Sequence, residues 1–383
     1  MKKFFMVLFI LLMLPIGANG EEQTSIEDIM ESEQINSLYN YISDVQLEEE
    51  LLTSINIKEY IAHFLKEGEG NLSFSYVVKV LASVAVRELI SFIKLSVIIL
   101  IIAIIAALIK NLQNAFNNEA LSNVAYFACY GLLVIILTKS FLLSVDIVRD
   151  SIKGITDFML ALIPVLLMLL ATVGGFSQSA VLNPIILLVI NICPKIYRDI
   201  IIPLILAGFA LQFANNISDG FKLNGLCKML RQSVIWIQGL MITIVVGFIS
   251  IKGVATNTLD VVTLKTAKFA VDNFIPIIGK AMSDAITTVA GYSLLLKSAV
   301  GTLGLIILLL IVITPIIKVF LCAMVYKLTA AFIEPISDGK IVSCIASAGD
   351  SLLLIMSSLI SISVMFFIMI SIIASSGKLI IAG

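Results

Sequence analysis

Between Asp350 and Lys378 stand 27 consecutive residues without a charged side chain. As an α-helix such a run is about 40 Å long, more than the roughly 30 Å hydrocarbon core of a bilayer. In lipid the backbone N–H and C=O groups have no water to bond, so the segment must satisfy them internally, and a helix does so. The pattern recurs. Uncharged runs of 15 to 20 residues lie between Lys94 and Lys110, Glu119 and Lys139, Asp199 and Asp219, Arg231 and Lys252, and Lys297 and Lys318. Terminal lysines can reach toward the interface and shorten the length needed to cross. Composition agrees. The chain is 60% hydrophobic and 13% charged, against about 45–50% and about 25% in a soluble domain. The expected fold is an all-α polytopic membrane helix bundle of about 8–10 spans.

One run is too long for one helix. Residues 158–194 are 37 uncharged positions interrupted by "VGGFSQS" and by Asn183-Pro184. A double glycine followed by polar residues signals a turn. The expectation is a broken hairpin of two short helices, 158–173 and 180–194, turning at Gly174 and Gly175. Full crossing and a re-entrant pair both satisfy the pattern.

The chain also resembles itself. "QSAV" at 178–181 is echoed by "KSAV" at 297–300, and "ISDG" at 217–220 by "ISDG" at 336–339, both offset by 119 residues. "TVGGFS" at 172–177 has a counterpart in "TVAGYS" at 288–293. The shared order predicts a duplication: a helical hairpin, a charged linker, then a broken hairpin. The units are 95–196 and 197–315, with a third hairpin at 316–373. The second broken hairpin would turn at Gly291. Interrupted helices at matching places of a repeat point to a functional site in many transporters.

That second unit carries the charges. Residues 265–301 include Lys265, Lys268, Asp272, Lys280, Asp284 and Lys297. Lys268 and Asp272 are four apart, as are Lys280 and Asp284, so each pair shares a helix face. In lipid each charge would cost about 2.5–3.5 kcal/mol on an insertion scale. Pro276 breaks a helix and frees backbone groups that must meet water or protein. Lys268, Asp272, Pro276, Lys280 and Asp284 are therefore the candidates to face a polar cavity or a partner. An amphipathic helix resting among headgroups is the alternative. Both stay open for 260–272, and the buried placement is preferred for 276–291.

The N-terminus differs. Residues 1–20 have Lys2 and Lys3, an apolar core and small residues at Ala18 and Gly20, the pattern of a secretory signal peptide. Residues 21–88 follow as an exported acidic helical segment, with 13 acids against three lysines from Glu21 to Lys79. The transmembrane domain is 89–383. A cleaved signal then places 110–123, 215–232 and 334–350 in the cytoplasm. Lys222, Lys228 and Arg231 against Asp219 in the second of these loops agree with positive-inside bias.

Several chemistries lack their residues. The single histidine, His63, lies in the exported segment, which removes paired-histidine metalloprotease and serine–histidine chemistry from the membrane. No GxxxxGK[ST] occurs, and no pair of the five cysteines has metal-ligand spacing. Asp350 in "SAGD" is expected at a helix start. A net charge of −1 gives nucleic acid no basis. Neither an enzyme nor a cofactor or metal is expected.

Five stretches carry a resemblance: "LQNAF" (112–116), "LALIPVLLMLLATVGG" (160–175), "KTAKFAVDNFIPIIGK" (265–280), "LLLKSAVG" (294–301) and "YKLTAAFIEPI" (326–336). Over 90–383 the chain resembles the stage III sporulation protein AE family of endospore-forming bacteria. The resemblance implies a multi-pass subunit of the complex joining the mother cell to the engulfed forespore. It sits in the mother-cell membrane around the forespore and is needed for forespore development and late forespore gene expression. Implied partners are other stage III sporulation membrane subunits, a cytoplasmic secretion-type ATPase, a forespore membrane protein and membrane lipid, with self-association also compatible. A self-sufficient secondary transporter for a small solute is the competing function. The exported acidic segment favours a subunit, because a lone transporter has little use for it.

Overall fold

The computed structural model describes residues 40, 42–43, 60–61, 63–64, 74–116, 119–217, 223–274, 279–337 and 339–376. Seven α-helices follow in order: α1 Phe74–Phe116, α2 Glu119–Thr172, α3 Phe176–Ile196, α4 Ile202–Ile217, α5 Asn224–Phe274, α6 Gly279–Ile333 and α7 Gly339–Ser375. A single π turn, Tyr197–Ile201, joins α3 to α4. Pro203 has no N–H to offer the carbonyl four residues back. The ladder shifts there, with the Ile202 N–H donating to the Tyr197 carbonyl, five residues away. No strand occurs among the described residues. The signal peptide lies outside them.

Five of these helices are long and apolar enough to cross a membrane: the spans are Ala85–Ile109, Tyr126–Thr172, Asn224–Lys252, Ala290–Ile333 and Gly339–Ser375. The fold class is as expected, and among the described residues the apolar runs merge into five such helices because charges do not end helices. The stretch 139–158, expected as a charged linker, is the middle of α2. Phe141, Val145, Val148, Ile152 and Ile155 are buried at helical spacing along it, so an apolar stripe continues into the core while the charges occupy the other side. Likewise α5 runs unbroken through Lys252, Asp260 and Lys265. The boundary expected at 88/89 falls inside α1. Ile42, Tyr60 and Ile61, from the acidic segment, are buried in the same hydrophobic core as the long helices.

The second broken hairpin is not formed. Gly291 lies inside α6, and a Cβ there would meet nothing within 4 Å. The physical reason is one residue earlier. Gly174 turns the chain with φ 95°, and its counterpart is Ala290, which disfavours that left-handed conformation. The helix therefore continues, and the two halves of the expected repeat take different shapes. Asp350 is also displaced from expectation: it stands well inside α7, not at a helix start.

Helix α7 is the centre of the bundle, packed by α2, α4, α5 and α6. Its polar contacts fix the register. Ser351 Oγ donates to Gln212 Oε1 on α4 (3.2 Å), Gln238 Nε2 on α5 donates to Ser358 Oγ (2.7 Å), and the Tyr197 hydroxyl bonds Ser361 Oγ. Asp350 is clamped between Lys327 of α6 (2.7 Å) and Arg231 of α5 (3.6 Å). At the other end of α7, Ser376 meets α6 at Lys297. So α6 runs antiparallel to α7 and α5 runs parallel to it. At Gly301, α6 approaches so closely that a Cβ would stand 2.5 Å from the Ala374 Cβ, the small-residue contact expected of packed membrane helices.

The bundle is longer than a membrane is thick, and charged residues such as Arg198 and Asp199 interrupt its apolar exterior. Ser96 of α1 bonds Thr329 of α6 beside the Asp350 clamp, and Leu108, which is exposed, lies 12 residues further along α1. The exposed Phe176 stands at the opposite end, next to Gln178 and Ser376. At 1.5 Å per residue the distance from the Leu108 level to the Phe176 level is about 60 Å, twice the bilayer core of about 30 Å.

Candidate functional site

The turn between α2 and α3 is built from two glycines with separate roles. Gly174 supplies the left-handed φ, and its N–H donates to the Ala171 carbonyl at 2.9 Å. Gly175 leaves room: a Cβ there would stand 2.9 Å from the Leu170 carbonyl oxygen, the acceptor of its own N–H. Ser179 Oγ closes the hairpin on the Leu167 carbonyl at 3.0 Å.

Turning into α3 leaves N–H groups at the helix start without partners in the helix, and no side chain of the turn caps them. The cap comes from another helix. Asp260 of α5 is 2% exposed, and its carboxylate accepts from the Ser177 N–H (3.0 Å) and the Gln178 N–H (2.9 Å). A negative group at the positive end of a helix is stabilised by the aligned peptide dipoles, by about 2 kcal/mol where partly buried.

Gln178 continues the chain of contacts. It is 1% exposed and donates from Nε2 to Ser376 Oγ at 3.1 Å. The backbone carbonyl of Ser376 in turn accepts from the ammonium of Lys297, which is fully buried. A carbonyl at the end of α7 is the negative pole of that helix and suits a cation. An acid, an amide and a lysine from three helices and a serine just past the end of α7 are thus joined at the hairpin tip. Gln178 and Lys297, related by the 119-residue offset, converge on the same serine.

Chemically this is a sealed polar connection and not a set of reacting groups. Among the described residues no three histidine, cysteine or acidic side chains are placed to hold a metal. A buried cation and a buried anion within apolar helices are costly and are retained where they serve ion, solute or partner contacts.

Of the candidates named from sequence, Gly174 and Gly175 form the turn and Gly291 does not. Lys268 and Asp272 fall on the last part of α5, Lys280 and Asp284 on the first part of α6. Their side chains, and all of Pro276, lie outside the described residues. Lys297 was one of the six charges read in 265–301, but its partners were not legible. Asp260 was missed because "TNTLD" (256–260) reads as part of a polar linker. The available signal was a lone acid between Lys252 and Lys265 within an otherwise helical pattern.

The profile of the stage III sporulation protein AE family matches residues 55–377. The stage III sporulation protein AE of Bacillus subtilis (strain 168) is 34% identical over 350 residues, covering 91% of this chain and 87% of that relative. No solved structure matches.

Proposed function

The chain belongs to the stage III sporulation protein AE family, and on that premise we propose that it is the multi-pass subunit of a sporulation-specific channel linking mother cell and forespore. It acts in sporulation as a membrane protein of a family that is not a known enzyme family. In this reading it sits in the mother-cell membrane around the forespore, with residues 21–88 exported. It works with other stage III membrane subunits, a cytoplasmic secretion-type ATPase and a forespore membrane protein, and supports late forespore gene expression. The observation that carries the reading is the length of the bundle, about 60 Å between the levels of the exposed apolar Leu108 and Phe176. A bilayer of about 30 Å covers half of it. Partner subunits would cover the remainder, which a lone transporter does not have.

The self-sufficient transporter keeps one supporting observation, the buried Asp260 at the start of α3, since helix ends inside a bundle commonly hold ions. One experiment separates the two. In an endospore-forming host lacking its own copy, Lys297→Met and Asp260→Asn are scored for protein level, heat-resistant spores and a late forespore reporter. The tagged parent is also captured from sporulating cells. The channel reading expects both variants to accumulate with fewer spores and a weaker reporter, and the parent to co-purify with the ATPase and membrane subunits. Full sporulation by both variants, or a parent captured alone that moves solute in vesicles by itself, would overturn it.

A further inference from the structure

A cavity of about 390 Å³ lies between the middle of α2 and the junction of α3 with the π turn. Arg149, Lys153, Lys195 and Arg198 line it, with Asp157 as the single acid. Four positive charges and one negative charge line it, with Asp199 (beside Arg198 and Lys195) and Asp146 (beside Arg149) just outside the lining. Lys153 and Lys195 are exposed and form no ion pair among the described residues. Arg149 reaches Asp146 only at 3.8 Å through Nη1, and its Nε is buried with no hydrogen-bond partner. Arg198 engages Asp199 through Nε at 2.9 Å. The same cavity has an apolar wall of Ile152, Leu160 and Ile190.

Its height is unusual for so much charge. Tyr197 ties this junction to Ser361 of α7. Ser361 is 11 residues from Asp350 and 15 from Ser376, or about 16 Å and about 22 Å along the helix. Cations of which Lys153 and Lys195 form no ion pair among the described residues, at a level where α5 and α7 carry no charge, call for an anion. Arginine pairs in a fork with phosphate oxygens, and lysine adds point charge. Basic pockets between membrane helices accept phosphate headgroups, whose acyl chains an apolar wall can receive.

We propose that this cavity is a binding site for a phosphate group, carried either by an anionic phospholipid or by a free phosphate. The site is separate from the Asp260–Lys297 contacts and does not depend on the channel reading.

The test uses the full chain purified in a nonionic detergent, with Lys153→Gln/Lys195→Gln and, as a rescue, Lys153→Arg/Lys195→Arg. Both positions are exposed, so folding is not at stake, and equal melting temperatures without ligand check this. Phosphatidylglycerol and phosphatidylcholine are offered together, and retention is read by native mass spectrometry. Inorganic phosphate is offered separately and read as a melting-temperature shift. The parent should retain phosphatidylglycerol over phosphatidylcholine, the glutamine variant should lose on the order of tenfold or more of that preference, and the arginine variant should recover it. A phosphate-induced shift in the parent alone, without lipid preference, assigns the site to free phosphate. If neither probe distinguishes parent from glutamine variant, or if poly-glutamate binds the parent in their place, the phosphate assignment is wrong.

Discussion

Gly174 and Ala290 hold matching places in "TVGGFS" and "TVAGYS", and a single methyl group separates a turn from a continuous helix. Placing Ala at 174 forces a side chain into the left-handed region, which costs roughly 1–2 kcal/mol. Gly174→Ala should lower the melting temperature of the purified protein, whereas Gly291→Ala, in open helical space, should leave it unchanged or raised, since Gly in a helix interior costs about 1 kcal/mol relative to Ala. Equal behaviour of the two variants would contradict the asymmetry. The double glycine made the first turn legible in the sequence. The sealed contacts were not legible, because Asp260 reaches an N-terminus 83 residues away in the chain and no local pattern announces such a cap. Asp260→Asn should lose the charge and one of the two hydrogen bonds, since each carboxylate oxygen accepts from a different N–H, a loss of about 1–2 kcal/mol or more read in the same melting experiment. No change there would mean the carboxylate is not the cap of α3.

At the scale of the element, charge was read as punctuation and turned out to be decoration. Residues 139–157 contain Lys139, Asp146, Arg149, Asp150, Lys153 and Asp157, yet they include no proline and a single glycine, Gly154. Nothing in them stops a helix, and their apolar stripe gives one a reason to continue. Ser151 sits in the middle of this stretch, its hydroxyl donating to the Ile147 carbonyl at 2.7 Å. Ser151→Pro would break a helix there at a cost of about 3 kcal/mol, but a linker would accept it. The expected outcome is loss of accumulated protein. Normal accumulation would restore the linker and divide α2 in two. The membrane class and the apolar runs were visible in sequence because hydrophobicity is local. Continuity was hidden because it depends on which neighbour buries the stripe.

For the whole molecule, the mismatch between a bundle of about 60 Å and a bilayer core of about 30 Å leads to a test at its two ends. A photo-crosslinking residue at Leu108 and another at Phe176, both exposed, cannot both rest in the same hydrocarbon layer. In sporulating cells at least one should give a protein adduct. Lipid adducts alone at both positions would show that the bundle tilts or the membrane deforms enough to cover it. The position of α7 has a consequence for how the protein is made. It is the central helix, yet it is synthesised after the four that pack against it. While the ribosome is still working, Gln212, Tyr197, Gln238 and Lys297 wait for the serines that α7 brings. Until it inserts, the earlier helices hold a seam lined with polar groups, open to insertion chaperones and membrane proteases alike. The insertion of α7 is therefore the event that closes this seam.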